Sequence, residues 1–382
     1  MNVLSAEAKR ELLTRGFTRR TFGRVATLIS AGATLPFYNE AALAQLSMVQ
    51  SKMPEDAVII NANENPLGPC NEAAEAMYSI VKKGGRYLYQ LTFELQKTIA
   101  EQEGLKPNYV SVYAGSSAPL HQAVLAFCSP SKSFVVADPG YEAGGRAAKF
   151  IGAKVINVPL TKDYAHDVRA MVKADPNAGL IYLCNPNNPT GTLTPRADID
   201  WALANKPKGS ILMVDEAYIH ISPHAVSAMD LAAADKDVVV LRTFSKLYGM
   251  AGLRAGFAAA RPDLLEKIQP YSAGAMPVTA MVGASTSLKV KTLVPERRKI
   301  IGDVREDVFS FLDKHNYSYV RSESNKFMLD TKRPAREFVQ AMAAHKIYVG
   351  RVWPAWPTYS RITIGTRDEM EKFKAALLKV MA

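Results

Sequence analysis

Four short clusters in this chain combine residue types able to do covalent and ionic chemistry. Asn185-Pro186-Asn187-Asn188-Pro189-Thr190-Gly191 sets side-chain amides in a turn, and Asp215-Glu216-Ala217-Tyr218 offers acids and a phenol. Thr243-Phe244-Ser245-Lys246 offers hydroxyls and an amine, and Arg254 follows as a planar cation. A desolvated lysine amine can attack a carbonyl carbon, and an arginine can fork a carboxylate or phosphate. Singly, each cluster has an ordinary reading: Asn-Pro segments are turns, an Asp after a strand caps a helix, and a lone Lys is a solvated charge. Their order and spacing together are hard to produce by chance. No metal site is expected beside them. Cys70, Cys128 and Cys184 form no metal-spaced pair and are too few for a disulfide framework. Pro223, between His220 and His224, disfavours a helical metal face.

The elements that must position these residues are legible in outline. Short apolar runs recur at 110–113, 134–137, 155–158, 180–184, 211–214, 238–241 and 256–259, and helical stretches such as 71–82 and 94–103 accompany them. Alternation of this kind implies βα units and a largely parallel sheet. Such sheets bind ligands outside the carboxyl ends of their strands, and the clusters mostly follow strand ends. After Pro295 a long charged helix begins near Glu296, strand candidates follow at 318–320, 326–329 and 361–364, and a last helix covers 367–381. The expected class is α/β: a large domain with a mostly parallel sheet flanked by helices (76–290) and a smaller α+β domain (291–382). An N-terminal segment (45–75) is expected to pack with the small domain. No internal repeat or low-complexity tract interrupts this plan.

Asn-Asn-Pro-Thr-Gly, Asp-Glu-Ala-Tyr and Thr-Phe-Ser-Lys with the downstream Arg resemble, in order, the signature of the fold-type I pyridoxal 5'-phosphate (PLP) enzymes. Among these the chain looks most like the histidinol-phosphate aminotransferase branch of the class I/II aminotransferases. Asn61-Ala62-Asn63-Glu64-Asn65-Pro66 and Arg361-Ile362-Thr363-Ile364-Gly365-Thr366 carry the likeness towards both ends, over roughly residues 55–380. The resemblance implies that Lys246 carries the PLP aldehyde and later moves protons at the substrate Cα, which needs an amine neutral part of the time. It implies that Asp215 pairs with the pyridine nitrogen and that Tyr218 and Asn188 bond the phenolic oxygen of the ring. The phosphate is expected on Gly115, Ser116 and Ser117 at a helix start, with Thr243, Ser245 and Arg254 as further donors. Tyr141 matches the aromatic that stacks on the ring, and Tyr87 a tyrosine reaching the neighbouring subunit's phosphate, which makes a homodimer the expected unit. Arg361 matches the fork for the substrate α-carboxylate, with Asn63 beside it. Arg351, in Gly350-Arg351-Val352-Trp353-Pro354-Ala355-Trp356-Pro357, is placed to take an anionic substrate tail. Trp353 and Trp356, unusual for the branch, either face the cleft or pack the domain surface. The implied activity moves an amino group between an L-amino acid and a 2-oxo acid. Decarboxylase, C–S lyase, racemase and oxidase chemistry on the same residues are the alternatives.

The rest of the chain sets limits and an address. Of 382 residues, 47 are Lys or Arg and 36 Asp or Glu, a net charge of +11. The charges are interspersed, with no basic stripe of the kind that tracks nucleic acid. No run reaches the length of a membrane-spanning helix, so no stable membrane insertion is expected. Thr18-Arg19-Arg20-Thr21-Phe22-Gly23-Arg24, a short apolar stretch and Ala42-Leu43-Ala44 before Gln45 follow the order of a twin-arginine (Tat) export signal over residues 1–44. The periplasm is therefore the expected location. Ser79-Ile80-Val81-Lys82 and Ser129-Pro130-Ser131-Lys132 leave an exported Ser/Lys hydrolase as a remote alternative. Ser-Asp-Asn and Lys-Thr-Gly are both missing, and no Gly-x-Gly-x-x-Gly marks a dinucleotide site.

Overall fold

Runs rich in Val, Ile and Leu between helical stretches need burial on both faces, and the chain meets that need with a sheet sandwiched between helices. A computed structural model describes residues 6–18, 39–45, 53–272 and 274–382. The strands, in chain order, are β1 (Val58–Ile59), β2 (Val110–Tyr113), β3 (Ser133–Asp138), β4 (Val155–Pro159), β5 (Ala178–Cys184), β6 (Ile211–Asp215), β7 (Val238–Thr243), β8 (Gly256–Ala259), β9 (Tyr319–Val320), β10 (Lys326–Asp330), β11 (Ile347–Tyr348), β12 (Val352–Trp353) and β13 (Trp356–Thr363).

A seven-stranded sheet has the order β2-β8-β7-β6-β5-β3-β4. β4, β3, β5, β6 and β7 run parallel, while β8 is antiparallel to both β7 and β2. Every residue of β5, β6 and β7 is buried, as expected for central strands covered on both faces. The register sets Cys184 opposite Asp215 and Asp215 opposite Leu241, so the segments leaving β5, β6 and β7 emerge side by side at one edge. The expected α/β class is the observed one.

A four-stranded antiparallel sheet has the order β12-β13-β10-β9, and β1 pairs with β11 in a separate parallel ladder. β13 begins at Trp356, earlier than the apolar pattern suggests. Trp-Pro reads as a turn, yet Pro357 lies beyond the β10 ladder, which starts at Tyr359, so its missing N–H costs no cross-strand bond. Beyond β1, Thr363 N donates to Ile60 O (3.0 Å) and Asn63 N to Thr363 Oγ1 (3.0 Å), which ties the N-terminal segment to the end of β13. The last helix, Arg367–Val380, starts with a reciprocal capping box between Thr366 and Glu369, a motif contributing about 1 kcal/mol. No helix among the described residues is long and apolar enough to cross a membrane.

A close backbone approach locks the loop after Lys246. Gly249 has φ 68°, and a Cβ there would lie 2.0 Å from the carbonyl oxygen of Gly68. Asn65 Nδ2 donates to Leu247 O (2.8 Å) across the same contact. Replacement Gly249→Ala is expected to cost about 2–3 kcal/mol from the left-handed backbone and the clash. Gly302→Ala, in open space on the helix Leu293–Lys314, is expected to add about 0.5–1 kcal/mol of stability. Urea midpoints of the two variants would check the contrast.

Candidate active site

At the carboxyl edge of the parallel sheet one cavity gathers Ser116, Ser117, Tyr141, Asn188, Asp215, Tyr218, Thr243, Ser245, Lys246 and Arg254. Its first feature is a cradle for an anion. β2 ends at Tyr113, Gly115 turns the chain with φ 90°, and the helix Ser117–Phe127 begins there with its amides free of earlier carbonyls. A Cβ on residue 115 would come within 2.2 Å of Arg254 Nη2, so glycine lets the guanidinium close over this turn. Arg254 donates to Ser245 Oγ (3.4 Å) and to Ala114 O (3.3 Å). Thr243 Oγ1 donates to Ser245 Oγ (2.9 Å), and Ser117 Oγ lies 3.3 Å from the Tyr141 hydroxyl. Hydroxyls, helix-end amides and one arginine thus converge in the way a phosphate requires.

Asp215 closes β6. Its carboxylate accepts from the Tyr182 hydroxyl (2.7 Å) and from Ala217 N (3.1 Å). Burial pushes its carboxyl up to about 6, with the bonds from Tyr182 and Ala217 and the Lys246 charge opposing the rise. A buried acid of this kind is suited to a cationic ring nitrogen. Neighbouring Glu216 has a structural task instead: it accepts from Arg242 Nε (2.9 Å) and Ala228 N (2.6 Å). Tyr182 escaped the sequence reading because it sits inside β5 and looks like core; its only signal is a hydroxyl in an otherwise apolar strand.

Lys246 is buried, and its amine donates one long bond, to Ala62 O (3.3 Å). Burial pulls its value down to about 8; Glu40 works against that drop, and Arg361 adds to it. Tyr218 lies beside it, with Asn63 Nδ2 donating to the phenol oxygen (2.9 Å). Over the Tyr218 ring stands a second buried amine, Lys326 Nζ, 3.1 Å from the centroid and bonded to Ser324 Oγ (2.9 Å). Desolvation holds Lys326 well below the usual lysine value. The sequence reading missed it because Lys326 opens β10, where a lysine reads as an exposed strand end.

Behind the lining residues Glu40 and Asn188 stand Arg361 of β13 and Arg351 just before β12, which like Asn63 are not in the cavity lining itself. Arg361 is fully buried and donates to Asn188 Oδ1 (2.9 Å), Asn61 O (2.6 Å) and Glu40 Oε1 (2.6 Å). Arg351 reaches the same Glu40 oxygen (3.2 Å) and pairs with Glu142. Asn188 Nδ2 donates to Glu40 Oε2 (3.2 Å). Trp353 is a floor beneath the arginines, 4.7 Å from Arg351 and 5.4 Å from Arg361, its indole N–H donating to Gly140 O (2.9 Å). Trp356 packs on Tyr164 and Tyr359. Neither tryptophan is among the residues lining the cavity. Tyr87 is exposed and stacked on Tyr89, apart from the cavity lining of this single chain. Glu40 was not anticipated at all; it belongs to the stretch read as a leader. The twin arginines, Arg19 and Arg20, lie outside the described residues, whereas Ala42-Leu43-Ala44 falls within the helix Glu40–Gln45.

The fit to PLP rests on this donor set: an acid for the ring nitrogen, a phenol and an amide for the ring oxygen, a cradle for the phosphate, and a desolvated amine. Two outcomes follow. Asp215 titrates higher in the fold than its ordinary 3.8. Its contribution to stability is therefore full below about pH 4 and is lost as the pH rises through about 6, a loss on the order of 3 kcal/mol. Asp215→Asn should raise the melting temperature of cofactor-free protein by a few degrees at pH 8, the gap closing towards pH 4, while retention of PLP falls. Covalent PLP uptake by cofactor-free protein should climb about tenfold per pH unit and level off near pH 8, instead of near the ordinary lysine value of 10.5. Stopped-flow absorbance across that range would read the midpoint.

Residues 55–377 match the aminotransferase class I and II family. A histidinol-phosphate aminotransferase of Moorella thermoacetica is 30% identical, over 92% of this chain and 94% of its own length. An aromatic amino acid aminotransferase of Cutibacterium acnes is 33% identical, over 85% of this chain and 92% of its own. The crystal structure of histidinol-phosphate aminotransferase from Sinorhizobium meliloti in complex with pyridoxal-5'-phosphate superposes with a TM-score of 0.81 at 24% identity, covering 91% of this chain and 95% of that one. With a fold-type I architecture, an amine, an acid and an anion cradle at one sheet edge, and this likeness along most of its length, the chain belongs to the class I and II aminotransferases, enzymes that depend on PLP.

Proposed function

We propose that this aminotransferase acts on L-amino acids presenting a free α-carboxylate and returns the amino group to a 2-oxo acid, with the residues in and behind the cavity in the following roles. Bound PLP supplies the electron sink that loosens a Cα bond and stores the amino group between half-reactions. Lys246, neutral for part of the time near pH 8, takes the Cα proton and gives one back. Asp215 keeps the ring nitrogen charged, and Tyr218 with Asn188 holds the ring oxygen. The hydroxyls of Ser117, Thr243 and Ser245, the amides at Ser116 and Ser117 beyond the Gly115 turn, and Arg254 bind the phosphate, while Tyr141 covers the ring. Arg361 and Asn188 hold the α-carboxylate, with Arg351 completing the cationic wall that faces it.

The observation that carries the carboxylate assignment is the seat of Glu40: a planar carboxylate already sits on Arg361, Arg351 and Asn188. Histidinol phosphate, named for several relatives, has no α-carboxylate and is the second reading. A homodimer is supported by a row of exposed apolar residues, Tyr78, Val81, Tyr87, Tyr89 and Phe93, on and between the helices Asn71–Val81 and Gln90–Glu103. Such rows commonly mark association surfaces, and Tyr87 would reach the second copy's phosphate from there. Export to the periplasm by the Tat route rests on the twin-arginine pattern before the catalytic region.

An L-amino acid should bleach the visible absorbance of the holoenzyme to the pyridoxamine form, and a 2-oxo acid should restore it. Equal or better conversion by histidinol phosphate would favour the second reading, and oxygen uptake with peroxide release would indicate oxidase chemistry. Arg361→Ala should raise the KM for the amino donor by about 10–100-fold, the loss of a charge-assisted pair, and leave the cofactor absorbance in place. Loss of that absorbance would count against the carboxylate role.

A further inference from the structure

The seat of Glu40 raises a question of its own, since it belongs to a segment outside the family match, which begins at residue 55. The helix Glu40–Gln45 sets Asn39, Glu40 and Ala41 in the wall of the active-site cavity and buries Leu43 and Ala44. Glu40 is held on both oxygens: Oε1 accepts from Arg361 (2.6 Å) and Arg351 (3.2 Å), and Oε2 from Asn188 Nδ2 (3.2 Å). Burial alone would raise its carboxyl. The charges of Arg361, Arg351 and Lys246 and the Arg361 hydrogen bond reverse that and hold it at about 2. The group is therefore a carboxylate at any pH at which the enzyme works, as a substrate α-carboxylate would be.

A second grip lies further towards the N-terminus. Arg15 Nη2 donates to the carbonyls of Leu125 (2.6 Å), Ala126 (3.3 Å) and Cys128 (3.1 Å) at the end of the helix Ser117–Phe127. Cations are favoured at that negative pole. Ser131 Oγ donates to Arg15 O (3.1 Å), and Phe17 is buried beside it. The helix gripped at its carboxyl end is the one whose amino end forms the phosphate cradle.

We infer that the N-terminal segment is an intramolecular ligand of the catalytic region, anchored by Arg15 and Phe17 and competing through the Glu40 carboxylate with the substrate α-carboxylate for Arg361, Arg351 and Asn188. This rests on the assignment of Arg361 to the α-carboxylate and adds to it a resident competitor. Tethering gives Glu40 a high effective concentration, so modest intrinsic affinity suffices. Occupation multiplies the affinity for external carboxylates by the fraction of pockets left open, which is below one. The relation is reciprocal: a carboxylate that enters must expel the segment. Removal of the chain before Gln45, which the export reading expects, would take Glu40 with it and leave the two arginines to substrate.

The test uses full-length holoenzyme, wild type against Glu40→Ala and Glu40→Gln, with 3-phenylpropionate as an unreactive carboxylate followed by calorimetry. A second measurement follows elastase cleavage within residues 41–45 by mass spectrometry. The inference expects the probe to bind Glu40→Ala about tenfold or more tightly than wild type, with Glu40→Gln between the two. Saturating probe should speed cleavage of wild type and leave that of Glu40→Ala, already fast, unchanged. Equal affinities with cleavage indifferent to the probe would overturn the competition while sparing the carboxylate assignment. Binding to neither protein would overturn both.

Discussion

A lysine amine is neutral for an appreciable part of the time near pH 8 only where water is kept from it, and the burial of Lys246 is the constraint around which this structure is arranged. No single element could enclose it. The loop after β7 presents the amine, Ala62 from the N-terminal segment covers it with a carbonyl, and β13 closes the far side with Arg361. Gly249 against Gly68 clamps two of these parts together at backbone distance.

Drying the pocket has an electrostatic consequence. Lys246, Lys326 and Arg361 are gathered in one poorly solvated space, where Arg361 disfavours the charge of both lysines and Lys246 that of Lys326. Lys326 responds by a strong drop in basicity and by lying on the Tyr218 ring face, where the π-electrons accept a cation. The arginines cannot give up their charge, so they take carboxylates, Glu142 and Glu40, and share the Trp353 face. Asp215 has the opposite problem. It is an acid at the floor with two hydrogen bonds, and a cationic ring would resolve its raised affinity for a proton.

Much of the fold was readable because strand burial leaves a composition signal. The runs at 110–113 and 256–259 coincide with β2 and β8, and the other runs of the large sheet differ from their strands by a residue or two at their ends. The signal weakened in the short strands. β11 and β12 have two residues each, too few for a period, and β13 hid its start behind Trp356-Pro357. The clusters at 185–191, 215–218 and 243–246 pointed to the cavity because chemistry at strand ends needs rare residue types in fixed order. Tyr182 and Lys326 did not, since a hydroxyl inside an apolar strand or an amine at a strand start has no local mark of its partner.

Local covalent order thus determined which groups follow which strand, and with them the α/β class and the lysine, acid and arginines of the site. Tertiary structure alone decided which of these groups share a dry space. Arg361 and Glu40 are far from Lys246 in sequence, and their influence on it comes from Coulomb interactions that depend on distance and on the exclusion of water. Those two quantities exist only once the fold has brought β13, the parallel sheet and the helix Glu40–Gln45 together through the bonds of Arg361 to Asn188 and Glu40.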